Sequence, residues 1–397
     1  MDYNPILPEV KENPYPFYEE LRKNHPVYPL AERGAVAVSR YDDVVFVLKN
    51  HELFSSAAMG SLTGSGQMLI GSDPPDHTRL RSLVSRGFTP AMVDALEPRI
   101  REVATELLDR VADTGELELV SGLAIPLPVT IIAEILGVDA AYHDDFKRWS
   151  RSTVGGSSGP DALTDEGRAR ITRDREEFSA YFQKAIAERR SEPRDDLISI
   201  LVRAEGDQAL TGDEVLAFTQ LLLIAGNETT TNLIGNAVLA LLDHPDQMER
   251  ARSDPAIVKN VVEETLRYES PVQFLFRLAK ADVEIAGTTI DKGAVVLPLY
   301  GSANRDERRF PNADRFDVTR DAQGHVAFGS GIHFCLGAPL ARLEAKVALE
   351  EVLRLPRLAR KNGIERLDSV FLRGLQSLPL TFETADRRAA RTANAQA

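Results

Sequence analysis

Apolar positions recur at intervals of three and four along most of this chain, the period of helices packed on a shared core. Leu96, Ile100, Val103, Leu107, Leu108 and Val111 make one such face. Pro16 to Asn24 reads as a short helix, Arg170 to Arg190 as a charged amphipathic one, and Ile257 to Tyr268 as a helix that stops before Pro271. Ala35 to Ser39 and Val44 to Leu48 predict a strand and a helix flanking the Arg40–Asp43 turn. The longest apolar run, Val215 to Leu242, follows Thr211-Gly-Asp-Glu214, the form of a capping box in which hydroxyl and carboxylate satisfy free backbone N–H groups. It ends before His244-Pro245, so roughly 30 residues span about 45 Å, and so apolar a helix must cross the middle of the molecule. Phe274 to Ala279, Val283 to Ile285, Thr288 to Ile290 and Ala294 to Leu299 are strand-like, with turns at Ala286-Gly287 and Lys292-Gly293. A last helix follows Phe328 to Gly337 and runs to Leu353.

The expected fold class is therefore mainly α with small β-sheets, in a single domain over residues 1–384. Two Gly/Ser-rich stretches, Ser55 to Gly71 and Val154 to Gly167, predict mobile loops. Ala385 to Ala397 has no apolar period and is expected to be a disordered tail. Strands do not alternate with helices, and the glycine-rich signatures of phosphate-binding loops are absent, so no nucleotide or flavin domain is evident.

Charge and cysteine content narrow the picture further. The formal net charge of −13 argues against nucleic acid or anionic lipid as a partner. The polar, proline-broken start, Met1 to Glu12, lacks the apolar core of a signal peptide. Glu228 and several asparagines interrupt the longest apolar run, which disfavours a membrane span. One cysteine among 397 residues permits neither a disulfide nor a Cys-rich zinc cage. A cytoplasmic location without a membrane anchor is expected.

That cysteine, Cys335, lies in Phe328-Gly-Ser-Gly-Ile-His-Phe-Cys-Leu-Gly337. The glycines allow tight turning and close backbone approach to something flat. Leu340, Leu343 and Val347 begin an apolar stripe just beyond, which puts Cys335 at the mouth of a helix, where free N–H groups favour a thiolate. A lone cysteine is most often a small buried hydrophobe. A Cys–His nucleophile with His333 is a second alternative, although such partners are usually distant in sequence. Inside the long helix, Ala225-Gly-Asn-Glu-Thr-Thr230 places polar groups where they need partners or a task; a solvent-facing patch is the plain alternative.

The pattern F-x-x-G-x-H-x-C-x-G, filled by Phe328, Gly331, His333, Cys335 and Gly337, resembles the haem-binding loop of the cytochrome P-450 family. The resemblance extends from about Pro14 to Leu380. It implies a P-450 fold, with haem b buried between the long distal helix and the proximal cysteine helix, and Cys335 as the metal ligand. Residues 225–230 are similar to the family's A-G-x-[DE]-T-[TS] motif. By that resemblance Ala225 and Gly226 leave room for dioxygen, Thr229 donates a hydrogen bond to it, and Glu228 relays protons.

The same resemblance assigns His77, Arg81, Arg277 and His333 to the haem propionates, and Phe328, Gly329 and Gly337 to the loop against the haem. A capped helix start is the plain alternative for His77. Glu264 and Arg267 fall three apart, and Glu263 and Arg267 four apart, so spacing supports either pair. Only the family's E-x-x-R pattern selects Glu264, with Arg315 as the third charge of a structural network. The family's substrate-contacting regions correspond here to Met68, Leu69, Ile70, Val272, Phe274, Leu275 and Leu375, which predicts an apolar substrate such as a fatty acid, terpenoid, steroid or polyketide. Two electrons from a separate ferredoxin or flavodoxin with its reductase, O2 as co-substrate and a monomeric enzyme are also implied. Arg79, Arg86 and Arg342 are the expected basic patch for an acidic electron donor.

A peroxide-driven enzyme and a non-catalytic haem-thiolate sensor are the competing readings, and the Glu228–Thr229 pair counts against both. The reduced, carbon monoxide-bound protein is expected to show the red-shifted haem band of thiolate ligation. Cys335→Ser abolishes it; a variant that kept the band would refute Cys335 as the ligand.

Overall fold

The computed structural model describes residues 3–30, 34–57, 69–155, 164–203 and 210–384. Five helices frame the site: α1 (Asp76–Val84), α2 (Pro126–Ile135), α3 (Gly212–Asp243), α4 (Val258–Tyr268) and α5 (Ala338–Leu353). The expected capping box forms at the start of α3. Thr211 Oγ1 accepts from the Glu214 N–H at 3.1 Å, and the Thr211 N–H donates to Glu214 Oε2 at 2.8 Å. From Thr230 to Leu241 every residue of α3 is buried, because α2, α4 and α5 all pack against it. This is the central crossing that the apolar run predicted, and it belongs to the largest apolar cluster of the molecule.

A five-stranded sheet lies to one side: β1 (Val27–Leu30), β2 (Ala35–Val38), β3 (Phe54–Ser55), β4 (Arg277–Ala279) and β5 (Val295–Pro298), in the spatial order β1-β2-β5-β4-β3. Only β2 and β5 run parallel, with Ala37 opposite Leu297. Arg277 pairs with Val296 at the start of β4, so the sheet holds a guanidinium at the edge of the helical layer. Beside it, Val283–Ile285 and Thr288–Ile290 form a hairpin whose turn residues Ala286 and Gly287 both have positive φ, 49° and 75°, as a tight two-residue hairpin requires.

Several boundaries differ from the sequence reading. The strand expected from Phe274 shrinks to Arg277–Ala279, and Phe274 makes only an isolated bridge to Leu299. The charged helix starts at Asp165, capped by the Thr164 hydroxyl, so Gly167 lies inside it rather than in a loop. The expected loops fall largely on residues 58–68 and 156–163, outside the described residues, as does the tail 385–397. Among the described residues, no helix is long and apolar enough to cross a membrane.

The segment leading to Cys335 has little secondary structure, and a buried ion pair organises it. Glu264 and Arg267 on α4 are both fully buried and meet through two hydrogen bonds of 2.8 Å. Arg267 also donates to the carbonyls of Asn304 (3.0 Å), Ala313 (2.8 Å) and Arg315 (3.0 Å). Glu264 accepts from the Asp317 N–H at 2.9 Å and from Arg320 Nε at 3.2 Å. The third charge of the network is thus Arg320, not Arg315, which contributes only its carbonyl. Arg320 can reach Glu264 because the chain turns back after Phe316, a reversal that no helical or strand period encodes.

Glu263 points elsewhere and holds His325 at 3.1 Å and Arg342 at 2.6 Å. Burial pushes its carboxyl up, but the hydrogen bonds from His325 and Arg342 outweigh this and hold it at about 2.

Removing one partner of the fully buried pair leaves the other uncompensated. Arg267→Met should cost about 3–5 kcal/mol of stability. Denaturant unfolding of the haem-loaded protein measures this, and a loss below about 1 kcal/mol would be that of a surface pair.

Candidate functional site

The cysteine loop is shaped by backbone constraints before chemistry enters. Gly329 and Gly331 adopt φ of +72° and +73°, a region that favours glycine. A Cβ on Gly331 would stand 2.8 Å from the carbonyl oxygen of Leu48. The Cys335 N–H donates to the Phe328 carbonyl at 2.9 Å and closes the loop. Around Gly337 nothing lies within 4 Å of where a Cβ would be, so the backbone there borders open space. The amides of Gly337 and Ala338, at the start of α5, lie close enough to the sulfur to lower its proton affinity.

Burial nevertheless pushes the Cys335 thiol up, and these amides with Arg81 and Arg342 only partly offset it. The helix mouth lowers the thiol as the sequence reading expected, but burial outweighs it. A coordinated metal ion would make the thiolate, because it removes the proton outright.

Across the cavity from Cys335, α3 presents Ala225, Gly226, Thr229 and Thr230. The polar island is tied to its neighbours on the far side: Asn227 Nδ2 donates to Ser150 Oγ at 2.7 Å, and Thr231 Oγ1 to the Ala124 carbonyl at 2.8 Å. Thr229 Oγ1 donates to the Ala225 carbonyl at 2.8 Å. In this arrangement the hydroxyl oxygen is free to accept a hydrogen bond toward the cavity, and rotation of the O–H would let it donate there. A Cβ on Gly226 would meet Ile132 at 3.6 Å, ordinary contact, so close packing does not force glycine there. Glu228 does not line the cavity and makes no hydrogen bond among the described residues. Burial pushes its carboxyl up to about 7.

At the cavity's edge stand four groups with a common need. The rings of His77 and His333 lie 4.3 Å apart, and the Nε2 of each is buried without a hydrogen-bond partner. Arg277 is 4% exposed, and its Nη1 donates to the Phe276 carbonyl at 2.9 Å. Neither Arg81 nor Arg277 forms an ion pair among the described residues. Asp73 is occupied by Ser55 Oγ (2.5 Å) and the Ser56 N–H (2.9 Å). Burial, then Arg81, lowers His77; burial, then Arg277, pushes His333 down to about 3. Four donors gathered without an anion are costly unless an anionic group completes them. The two carboxylates of a haem, set beside a buried cysteine, fit that need.

Leu69, Ile70, Val272 and Leu275 line the cavity as expected, and Phe328 and Gly329 form part of its floor. Phe274 does not: it is buried on the far side, in the cluster of Tyr3 and Leu297, because adjacent residues of an extended segment face opposite ways. Leu375 packs against Gly235 of α3 in the core instead of facing the cavity. Met68 lies outside the described residues. Leu222 lines the wall where the distal helix was expected to, and Phe88, Ile132, Phe218, Leu221 and Leu233 join it without having been singled out. The stripe Phe218, Leu222, Ala225, Thr229, Leu233 has helical spacing and was readable as one face.

The basic patch is largely neutralised. Arg79 pairs with Glu214 and Arg342 with Glu263, which leaves Arg86 as its exposed member. Glu344 was not anticipated at all. It lines the same cavity from α5, is 2% exposed, and its Oε1 has no hydrogen-bond partner. Burial pushes its carboxyl up to about 8.

A cysteine loop facing a groove in a long distal helix, with cations ringed at the edge, defines a haem-thiolate oxygenase. The comparisons agree. The family profile for Cytochrome P450 matches residues 163–373. The solved structure of CYP109Q5 from Chondromyces apiculatus superposes with a TM-score of 0.89 at 46% identity, covering 97% of this chain and 99% of that one. CYP109E1 from Bacillus megaterium, solved in complex with testosterone, gives 0.86 at 39% identity, covering 94% and 99%. The vitamin D(3) 25-hydroxylase of Pseudonocardia autotrophica is 42% identical over 388 residues, 94% of each chain. The chain belongs to the cytochrome P450 family and is a P450 monooxygenase with a haem-iron cofactor.

Glu344 generates a test. Its proton affinity is higher in the fold than in the unfolded chain. Between about pH 4.5 and 8 the unfolded chain has lost the proton while the fold keeps it. Stability therefore falls through this window, by at most about 1.4 kcal/mol per pH unit. Glu344→Gln should match the wild type near pH 5 and exceed it in Tm at pH 8. A difference independent of pH would contradict this.

Proposed function

We propose that this enzyme hydroxylates or epoxidises an apolar substrate of steroid-like size, with electrons from a separate ferredoxin or flavodoxin system. The observation that carries this reading is the cavity between α3 and the cysteine loop, whose wall away from the cation cluster is mainly apolar, led by Leu, Ile, Val and Phe, with Thr229, Thr230, Tyr300, Ser330 and Glu344 among its polar members. Such a wall binds by burial of apolar surface and rejects charge. The testosterone held by CYP109E1 and the substrate named for the vitamin D(3) 25-hydroxylase are both bulky and apolar. Fatty acids, terpenoids and polyketides share that chemistry at other shapes.

Bound haem supplies the iron at which dioxygen is reduced and activated. Cys335 would hold the iron. His77, Arg81, Arg277 and His333 would hold the propionates by charge-assisted hydrogen bonds. The only cysteine is then used as a ligand, which leaves no thiol for covalent attachment and favours haem b. Ala225 and Gly226 keep side-chain bulk away from the reacting centre. The Thr229 oxygen can accept a hydrogen bond there, and its O–H, which donates to the Ala225 carbonyl, can rotate to donate there. Glu228, with a carboxyl at about 7, can gain and lose protons near neutral pH and so resupply that position through water. A cytoplasmic, monomeric enzyme fits the reading.

Spectral titration tests the substrate class: a steroid, a terpenoid and a long-chain fatty acid should each displace iron-bound water and shift the haem band, the steroid most tightly, and a small charged aromatic should not. The reverse order would overturn the class. With a surrogate ferredoxin system, Thr229→Ala should divert most NADPH consumption to hydrogen peroxide, and Glu228→Gln should lower product formation at least about tenfold. Unchanged coupling in Thr229→Ala would remove its role.

A further inference from the structure

A second cleft, of about 760 Å³, opens where the N-terminal helix Tyr15–Asn24, the C-terminal half of α3 and the end of α4 meet. Its floor carries three guanidiniums around one carboxylate. Glu269 receives Arg305 Nη2 at 3.2 Å and a hydrogen bond from Arg373 Nε, and faces Arg366 Nη1 at 3.6 Å. Burial pushes Glu269 up, but Arg373, Arg305 and Arg366 together hold it below the usual carboxylate range.

The cluster is rigid. Arg305 is sandwiched between the rings of Tyr15 and Tyr268, at 3.4 and 3.7 Å, and donates to the Tyr268 carbonyl at 2.8 Å. Arg373 is 7% exposed and also donates to the carbonyl of Glu12 at 3.1 Å.

One carboxylate among three guanidiniums leaves two positive charges in excess, on a chain whose net charge is −13. The rim offsets them only through two solvent-screened carboxylates. Glu307 is paired with Arg22, Glu19 with Lys23 and Asp243 with Arg360; Glu12 and Asp314 are exposed, where solvent screens them. Two buried atoms of the cleft lining also lack hydrogen-bond partners among the described residues: Arg366 Nη1, a donor, and Asn236 Oδ1, an acceptor. Asn236 is 1% exposed, and its Nδ2 is fixed by the carbonyls of Glu269 and Arg373, both at 3.0 Å, so its oxygen cannot turn away. An anion alone would satisfy the guanidinium and not the amide oxygen. An oxyanion that also carries an O–H satisfies both.

We propose that this cleft is a binding site for a small oxyanion of the phosphate or carboxylate type, bound through Arg366 with Arg305 and Arg373 behind it. The site is independent of the monooxygenase reading and of haem chemistry. It shares α3 with the haem cavity: Asn236 lies seven residues beyond Thr229, about 10 Å along the helix.

The haem-loaded protein in a zwitterionic buffer is titrated calorimetrically with inorganic phosphate and, separately, with lactate, a carboxylate that carries a hydroxyl, against sodium chloride at matched ionic strength. Saturable binding of at least one of them is expected, with a Kd weakened at least tenfold in Arg366→Gln and partly restored in Arg366→Lys. The two arms separate a phosphate source from a carboxylate source. The thiolate band of the carbon monoxide complex confirms that each variant is folded. No saturable binding of either ion, or equal binding by Arg366→Gln, would overturn the proposal.

Discussion

The buried pair of Glu264 and Arg267 carries the geometry on which the site depends. The chain between Asn304 and Arg320 has almost no regular hydrogen bonding of its own, yet it must deliver the Phe328–Gly337 loop to one place beneath the cavity. Arg267 takes three of its carbonyls, and Glu264 takes the Asp317 amide and the Arg320 guanidinium. A buried ion pair is weak as a source of net stability, because desolvation offsets attraction. As a template it is strong: both charges are satisfied only when all of these groups are in position. The next residue, Glu263, extends the clamp to His325 and Arg342 on either side of the cysteine loop.

Around this frame the cavity is built from opposed requirements. Its wall is apolar, and its edge gathers four cationic or hydrogen-bonding groups without a counterion. The apolar part excludes water, which strengthens every charge interaction at the edge and raises the cost of leaving it incomplete. A flat apolar group with two carboxylates on one side resolves both demands. The same logic explains two displaced acids. Glu228 and Glu344 sit in low-polarity surroundings with no cation nearby, so both are pushed toward neutral pH, one at the distal helix and one at the cysteine helix.

Helical order was widely legible because single periods report it. The capping box at Thr211, the long central helix and the arrest before Pro271 are local facts, and each forms as read. The haem loop was legible for another reason: the spacing of its glycines, histidine and cysteine resembles a long family pattern, whereas the residues taken alone left a buried thiol or a Cys–His nucleophile open. Pocket membership was legible only in part. Val272 and Leu275 face the cavity, while Phe274 between them turns to a separate core; residues 272 and 275 do not share a face in a regular strand, so neither an apolar count nor a strand period reveals which side chains point inward.

The sequence by itself determined the class of fold, the central helix and the identity of the cysteine loop, because these rest on local periods, caps and backbone-restricted glycines. Only the tertiary structure decided which charges meet. It put Arg320 in the place expected for Arg315 and paired Arg79 and Arg342 with acids more than 70 residues away, while Glu264 meets Arg267 as the E-x-x-R pattern implied and spacing alone left open. It also turned the Thr229 proton back onto its own helix and buried Glu344 without a partner. Pairing energy depends on distance and burial, and neither is a property of separation along the chain.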